Sequence, residues 1–174
     1  KIAGVTHEYT TLPGVHDSII DILLNLKGLV IEKSDSGIEW VTLSKKKGGI
    51  VTAADIKCPA GVTVHNPEMY ITSLDANFDF TAEIRIERNV GYVSIDELKH
   101  REDDPAVLLV DANFSPVISV RYDVTDTRSG EITNLDSLEM VIKTNGVMSP
   151  SDVVKFSGKM LESYFALFNE DALQ

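Results

Sequence analysis

Two hydrophobic periods run along this chain. Between Phe78 and Glu87, Phe78, Phe80, Ala82, Ile84 and Ile86 alternate with Asp79, Thr81, Glu83, Arg85 and Glu87. This period of two predicts a strand with one face buried and one wet. The stretch SPVISVRYDV repeats the pattern, with Ile118, Val120, Tyr122 and Val124 on one side and Ser119, Arg121 and Asp123 on the other. A polar connection containing Ser129 and Gly130 leads to a last predicted strand, Leu138–Lys143, suited to antiparallel pairing with it. Leu29–Lys33 and Ile38–Ser44 read as strands around an SDSG turn, and Val107–Val110 as a short buried strand. The segment VTAADIKCPAGVTVHNPEMYI is broken by prolines and a glycine, which predicts short strands and loops.

The other period is helical. After the TTLPG turn, VHDSIIDILLNLKG (15–28) spreads Val15, Ile19, Ile20, Ile22, Leu23, Leu24 and Leu26 around a helical wheel. They cover an arc of roughly 200°, against the roughly 100° that suffices to face one core. Asp17, Ser18, Asp21 and Asn25 form the only continuous polar wedge. Such a helix is either buried deep in its own domain or used twice, by its own sheet and by a partner. Asp17 and Asp21 early and Lys27 late suit the helix dipole. Gly28 is placed to cap the end.

A second helix is announced by Ser149 as cap, Pro150 at the first position and Asp152 at the third, and runs to about Glu170. Its apolar set is Val153, Val154, Phe156, Met160, Leu161, Tyr164, Phe165, Leu167 and Phe168. That set spans about 180° of the wheel. Gly158 inside it weakens the helix by about 1 kcal/mol relative to Ala while permitting close approach of another backbone. Strands and helices together make an α+β class.

Composition narrows the function. The 174 residues suffice for one domain or two small ones. Cys58 is the sole cysteine, so no intrachain disulfide can form, and no signal peptide opens the chain. Its apolar runs fall short of the ~20 residues that cross a bilayer. A reduced, cytoplasmic compartment and no membrane partner are expected. The net charge of −11 opposes binding to phosphate backbones, so no direct DNA binding is expected. The one basic cluster, Lys45-Lys46-Lys47 before Gly48-Gly49, reads as a solvated turn. An acidic surface suits solubility or a basic protein partner.

Candidate chemistry is sparse. His7, His16, His65 and His100 stand far apart with no H-x-x-x-H spacing, and Cys58 has no C-x-x-C partner. No metal site is expected from such a set. There is no G-x-S-x-G, no phosphate-binding loop and no G-x-G-x-x-G, so neither catalytic residues nor a cofactor are predicted. Glu102, Asp103 and Asp104 lie in the polar stretch DELKHREDDP, which reads as an exposed excursion without EF-hand spacing. One enzyme reading stays open: a small cytoplasmic hydrolase using Cys58 and His65, if folding brings them together or places His65 near Ser73. The other is an interaction protein without an active site.

HEYTTLPGV, DILLNLKGL, VTAADI, GYV, ANFSPV and TNG…SP before a long helix occur in this order over almost the whole chain. They resemble the N-terminal domain of bacterial DNA-directed RNA polymerase alpha subunits. The resemblance implies a non-catalytic assembly subunit without cofactor, nucleotidyl transfer belonging to the large subunits. Two alpha protomers would form a homodimer that docks the beta and beta-prime subunits, in the cytoplasm and on the nucleoid through the polymerase. The implied fold has two parts. Residues 1–112 would form an inserted α/β subdomain of mostly antiparallel strands. Residues 113–174 would form the C-terminal part of the dimerisation subdomain, with one long helix.

The family's upstream G-x-T-L-G-N-A-L-R-R-I-L-L helix and its C-terminal helix–hairpin–helix domain do not occur in this sequence, so a fragment is expected. The family's beta-prime contacts carry over to Lys27 of LNLKG, Val110 of LLV, Val117 of SPV, and Ser137, where the family has Lys. The acidic loop that meets transcription activators in some relatives falls on Glu102, Asp103 and Asp104. The family's R-G-Y-V-P reads NVGYVS. Phe156, Met160, Leu161, Tyr164, Phe165 and Phe168 of the last helix fit an isologous dimer contact.

Overall fold

Ser18 starts the first helix, α1 (Ile19–Lys27): its hydroxyl accepts from the Asp21 amide while the Asp21 carboxylate accepts from the Ser18 amide. This reciprocal cap satisfies two otherwise orphaned donors. It also makes the helix shorter than the hydrophobic pattern predicts. Val15 lies outside, bridged to Leu74, and Asp17 precedes the cap. The computed structural model describes residues 1–130 and 132–171. The chain divides into two compact units, Lys1–Ser115 and Pro116–Gln174.

In the first unit α1 is followed by β1 (Ile31–Lys33), β2 (Glu39–Lys45), β3 (Gly49–Thr52) and a 3-10 turn (Ala53–Asp55). Then come β4 (Ile56–Lys57), β5 (Val62–Val64), β6 (Tyr70–Leu74), β7 (Phe80–Ile86), β8 (Tyr92–Val93), a short α2 (Ile95–Lys99) and β9 (Ala112–Asn113). All the pairings are antiparallel: β1 with β5, β3 with β6, β8 with β9, and β2 between β4 and β7. The SDSG turn therefore separates strands that belong to different sheets. Apolar faces decide the pairing. Val41 and Leu43 of β2 stand opposite Ile84 and Ala82 of β7, on the face turned into the core. The N-terminal residues lie along the other edge of β7, with Ala3 donating to the Thr81 carbonyl (3.1 Å) and Glu83 to that of Lys1 (2.8 Å).

The core gathers Ile19 and Ile22 of α1, Val41, Leu43, Val51, Ile71, Leu74, Phe80 and Ala82. Leu23 and Leu26 pack against it, whereas Ile20 and Leu24 are 40% and 60% exposed. The wide apolar arc of α1 thus splits into an inner face and an outer edge. Gly28 caps the helix at φ −80°, so no left-handed turn requires it. Its role is clearance, since a Cβ there would lie 2.5 Å from Cε of Met69.

Three local expectations are corrected. The Lys45–Gly49 turn is solvated at Lys46 and Lys47 but anchored at Gly48, which is buried and donates to the Phe78 carbonyl (2.9 Å), while the Lys47 amide donates to Asp79 Oδ1 (3.0 Å). Residues 107–110 form no strand but a half-buried irregular run. The charged excursion contains α2, begun by Ser94, whose hydroxyl accepts from the Glu97 amide.

The second unit holds β10 (Val117–Ser129), β11 (Ile132–Thr144) and α3 (Pro150–Asp171). β10 and β11 form the antiparallel pair that their alternation predicts, from Val117↔Thr144 at the root to Ser129↔Ile132 at the tip. Val120, Tyr122 and Val124 face the same side as their partners Ile142, Met140 and Leu138. The expectation that alternation marks a buried face fails here: Ile118, Val120, Tyr122 and Val124 are 52–70% exposed. Alternation sorts side chains onto two faces, but burial requires a second layer. α3 opens as predicted, with the Asp152 amide donating to Ser149 Oγ (3.2 Å) and Pro150 first in the helix.

Candidate functional site

The clearest polar constellation on the first unit lies where α1 ends. The helix carries Lys27 to its C-terminus, where a cation complements the exposed carbonyls. Asp111 arrives from 84 residues away, just before β9, and its Oδ2 accepts from Lys27 Nζ at 2.5 Å. The same oxygen accepts from the hydroxyl of Tyr92 on β8 at 2.8 Å. β8 and β9 fix this geometry by pairing Tyr92 with Asn113 and Val93 with Ala112, and Phe114 donates to the Gly91 carbonyl (2.8 Å). One carboxylate oxygen thus ties together a helix end and both strands of a ladder.

Charges in this cluster stabilise one another. Lys27, mainly through its hydrogen bond, holds the Asp111 carboxyl below the ordinary carboxylate range, with Tyr92 adding to it. Asp111 in turn raises the Lys27 ammonium and the Tyr92 phenol. The signs set a pH window. The contribution of Asp111 is present above the ordinary carboxylate value and lost as pH falls through the depressed one. That of Lys27 is present below the ordinary lysine value and lost as pH rises through the raised one. The tie holds across neutral pH.

Of the residues singled out in the sequence, the structure brings Lys27 and Val110 into one neighbourhood, because Val110 immediately precedes Asp111; Val110 is half-buried. Val117 and Ser137 lie on the hairpin of the second unit. Val117 pairs with Thr144 at the root and Ser137 with Thr125 toward the tip. From Ser137 to Thr144 along β11 the strand covers about 23 Å at ~3.3 Å per residue. On α3, Phe156, Leu161, Tyr164, Phe165 and Phe168 are 50–71% exposed, while Met160 is half-buried.

Two of the three acidic-loop residues are already engaged within the chain. Glu102 accepts from Arg85 at 2.6 Å, and Asp104 pairs with Lys1 at 2.5 Å. Lys1 also stands over the ring of Trp40, 5.1 Å from its centre. Lys1 chiefly, then the Ala106 amide, holds the Asp104 carboxyl below its ordinary range. Asp103 is exposed and makes no hydrogen bond or ion pair among the described residues.

The Cys58–His65 reading gains no support. Cys58 reaches only the Ile56 carbonyl, and burial pushes its thiol up, away from the reactive thiolate. His65 Nε2 lies 2.8 Å from Glu32, not from the cysteine.

Sequence reasoning missed two carboxylates. Asp17 lies before the helix, and its Oδ2 accepts from Tyr70 (2.6 Å), Thr72 (2.9 Å) and the Ser73 amide (3.2 Å), stitching the start of α1 to β6. The signal was the Asp17-Ser18 pair: two cap-forming residues in succession, of which only one can cap. For Asp111 no local signal exists, because its partners are remote.

Comparisons with known proteins agree with this layout. A family model described as the RNA polymerase Rpb3/RpoA insert domain matches residues 1–115, the extent of the first unit. The DNA-directed RNA polymerase subunit alpha of Leifsonia xyli subsp. xyli is 39% identical over 170 residues, covering 98% of this chain and 51% of that protein. The subunit alpha of Heliobacterium modesticaldum is 41% identical, covering 97% of the chain and 53% of that protein. That of Kineococcus radiotolerans is 40% identical, with coverages of 98% and 50%. The chain spans about half the length of these curated relatives.

Proposed function

The chain belongs to the RNA polymerase alpha-subunit family, and from that premise we propose that it is a non-catalytic assembly subunit of DNA-directed RNA polymerase. The observation that carries this reading is the identity of about 40% extending across both units to relatives named as that subunit. In this reading residues 1–112, within the first unit, form the insert subdomain, and residues 113–174 belong to the dimerisation subdomain. The chain pairs with a second copy through α3 and the apolar face of the hairpin. The pair then docks the beta and beta-prime subunits, which carry out nucleotidyl transfer.

Beta-prime meets the region of Lys27 and Val110 on the first unit and of Val117 and Ser137 on the second. What supports Lys27 is its setting, a cation at the end of the exposed Ile20–Leu24 edge of α1. Such apolar area flanked by a polar anchor suits a protein interface. In the acidic loop, Asp103 is the residue left to meet a basic activator surface, because Glu102 and Asp104 hold the loop in place. The protein acts in the cytoplasm without contacting DNA or membrane itself. Among the described residues, no helix is long and apolar enough to cross a membrane.

The test is co-purification of the complete subunit with beta and beta-prime. Lys27→Glu is expected to reduce recovery of beta-prime while leaving self-association intact. Undiminished recovery would remove Lys27 from the docking site.

A further inference from the structure

We infer that Asp111 and Tyr92 are positioning residues for Lys27, so that the docking element is the three-residue cluster rather than a lone lysine. The inference rests on the docking role proposed for Lys27 and adds what holds that lysine and what charge it presents. A lysine at a helix end has four rotatable bonds and sweeps a wide volume, so ordering it costs entropy when a partner binds. Here Asp111 Oδ2 already holds the ammonium at 2.5 Å, and the Tyr92 hydroxyl, carried on β8, donates to that same oxygen at 2.8 Å. The partner meets a lysine whose position is settled beforehand.

The cluster also changes the chemistry offered. A bare lysine attracts any carboxylate, and its association weakens steeply with salt. Lys27 paired with Asp111 carries no net charge as a unit. An ammonium has three donors, and the bond to Asp111 uses one. The complementary surface on the large subunit is therefore one of uncharged acceptors, main-chain carbonyls or side-chain amides, rather than a carboxylate patch.

The experiment reconstitutes the complete subunit with beta and beta-prime and reads beta-prime recovery against subunit concentration. The variants are Lys27→Glu, Asp111→Lys, the double exchange, Asp111→Asn and Tyr92→Phe. Positioning predicts that each single charge reversal weakens recruitment about tenfold or more. The double exchange keeps an ion pair across the same gap but presents a carboxylate where the ammonium's remaining donors stood, so it does not recover recruitment. Tyr92→Phe weakens recruitment about threefold, as for one hydrogen bond.

Salt dependence supplies a readout that mere folding would not move. Wild-type recruitment through this element is expected to change little with ionic strength. Asp111→Asn keeps an acceptor oxygen at nearly the same volume but frees the lysine charge, and is expected to make recruitment more salt-sensitive. It also serves if Asp111→Lys does not fold. If Lys27→Glu weakens recruitment while Asp111→Lys and Asp111→Asn behave as wild type, the positioning role is overturned and the docking role of Lys27 stands. If the double exchange restores recruitment, Lys27 does not act through its remaining donors and the uncharged-acceptor surface is overturned. If Lys27→Glu itself has no effect, the docking role fails and the positioning role with it.

Discussion

β7 in the first unit and β10 in the second carry the same sequence pattern and meet opposite fates. Phe80, Ala82 and Ile86 of β7 are at most 8% exposed. Val120, Tyr122 and Val124 of β10 are 52–70% exposed. Both strands sort apolar residues to one side, and both have an antiparallel neighbour. What differs is the layer behind them. β7 joins a core filled by α1 and several small sheets, whereas the residues of the main core cluster all lie between Ile2 and Ile86. Period two therefore specifies which side chains travel together, and the rest of the assembly decides whether they are covered.

That contrast is broken most directly by truncating one residue on each side of it. Leu43→Ala removes a fully buried side chain and is expected to cost about 2–5 kcal/mol. Val120→Ala, on the exposed face, is expected to stay within about 0.5 kcal/mol for the chain alone. Urea denaturation of the two variants measures both. A large cost for Val120→Ala would mean that the hairpin face is covered within the single chain.

Gly48 tests how rigidly the first unit holds its turns. Its φ is +71°, and a Cβ there would collide with the main-chain oxygen of Asp75, which cannot yield as a flexible side chain would. Gly48→Ala is expected to cost about 1–3 kcal/mol from strain at that backbone conformation, plus the displacement of the 75–78 turn. Hydrogen-exchange protection of the Gly48 and Phe78 amides reports whether the two turns separate.

Asp17 gives a smaller, pH-dependent effect confined to the first unit. The Tyr70 hydroxyl, the Thr72 hydroxyl and the Ser73 amide all lower its carboxyl below the ordinary range, Tyr70 most. Thr72 is fully buried, so removing the acceptor strands a buried donor. Asp17→Ala is expected to cost about 1–3 kcal/mol. A depressed folded value places the carboxylate's contribution above the ordinary carboxylate range, and it is lost as pH falls through the depressed value. The stability difference between wild type and Asp17→Ala should thus be full at neutral pH and shrink on acidification. A difference that stays constant to low pH would show that the charge contributes nothing.

How much was legible in the sequence follows the same divide. Local signals read well: the Ser149-Pro150-x-Asp152 helix start and the β7 strand form where the pattern places them, and the hairpin pairs as expected, although β10 and β11 run on to Ser129 and from Ile132 through residues read as a polar connection. Signals that depend on remote partners did not. Nothing near Asp111 announces Lys27, and nothing in KKKGG announces that the Gly48 amide reaches the Phe78 carbonyl. The boundary of α1 moved because Asp17 and Ser18 both suit a cap, and tertiary bonds to β6 claimed Asp17. The α+β class was readable because it depends only on which periods occur. The Lys27 neighbourhood was readable only in its lysine.

Gly158 carries the smallest expected change and separates the two readings of an exposed face. It lies inside α3 with open space around it, since a Cβ there would meet nothing within 4 Å. Within one chain Gly158→Ala therefore has only the helix to act on. It is expected to stabilise α3 by about 1 kcal/mol, visible as greater helicity and a higher midpoint. If a second copy packs its backbone closely against α3, the added methyl group intrudes on that contact, and self-association weakens while the helix strengthens. Circular dichroism and light scattering on the same sample read the two effects separately. A gain in helicity with unchanged self-association places the dimer contact on the Phe156, Leu161 and Phe165 side chains, away from Gly158. A gain accompanied by dissociation assigns the glycine the close approach that its position in an otherwise bulky helix suggests.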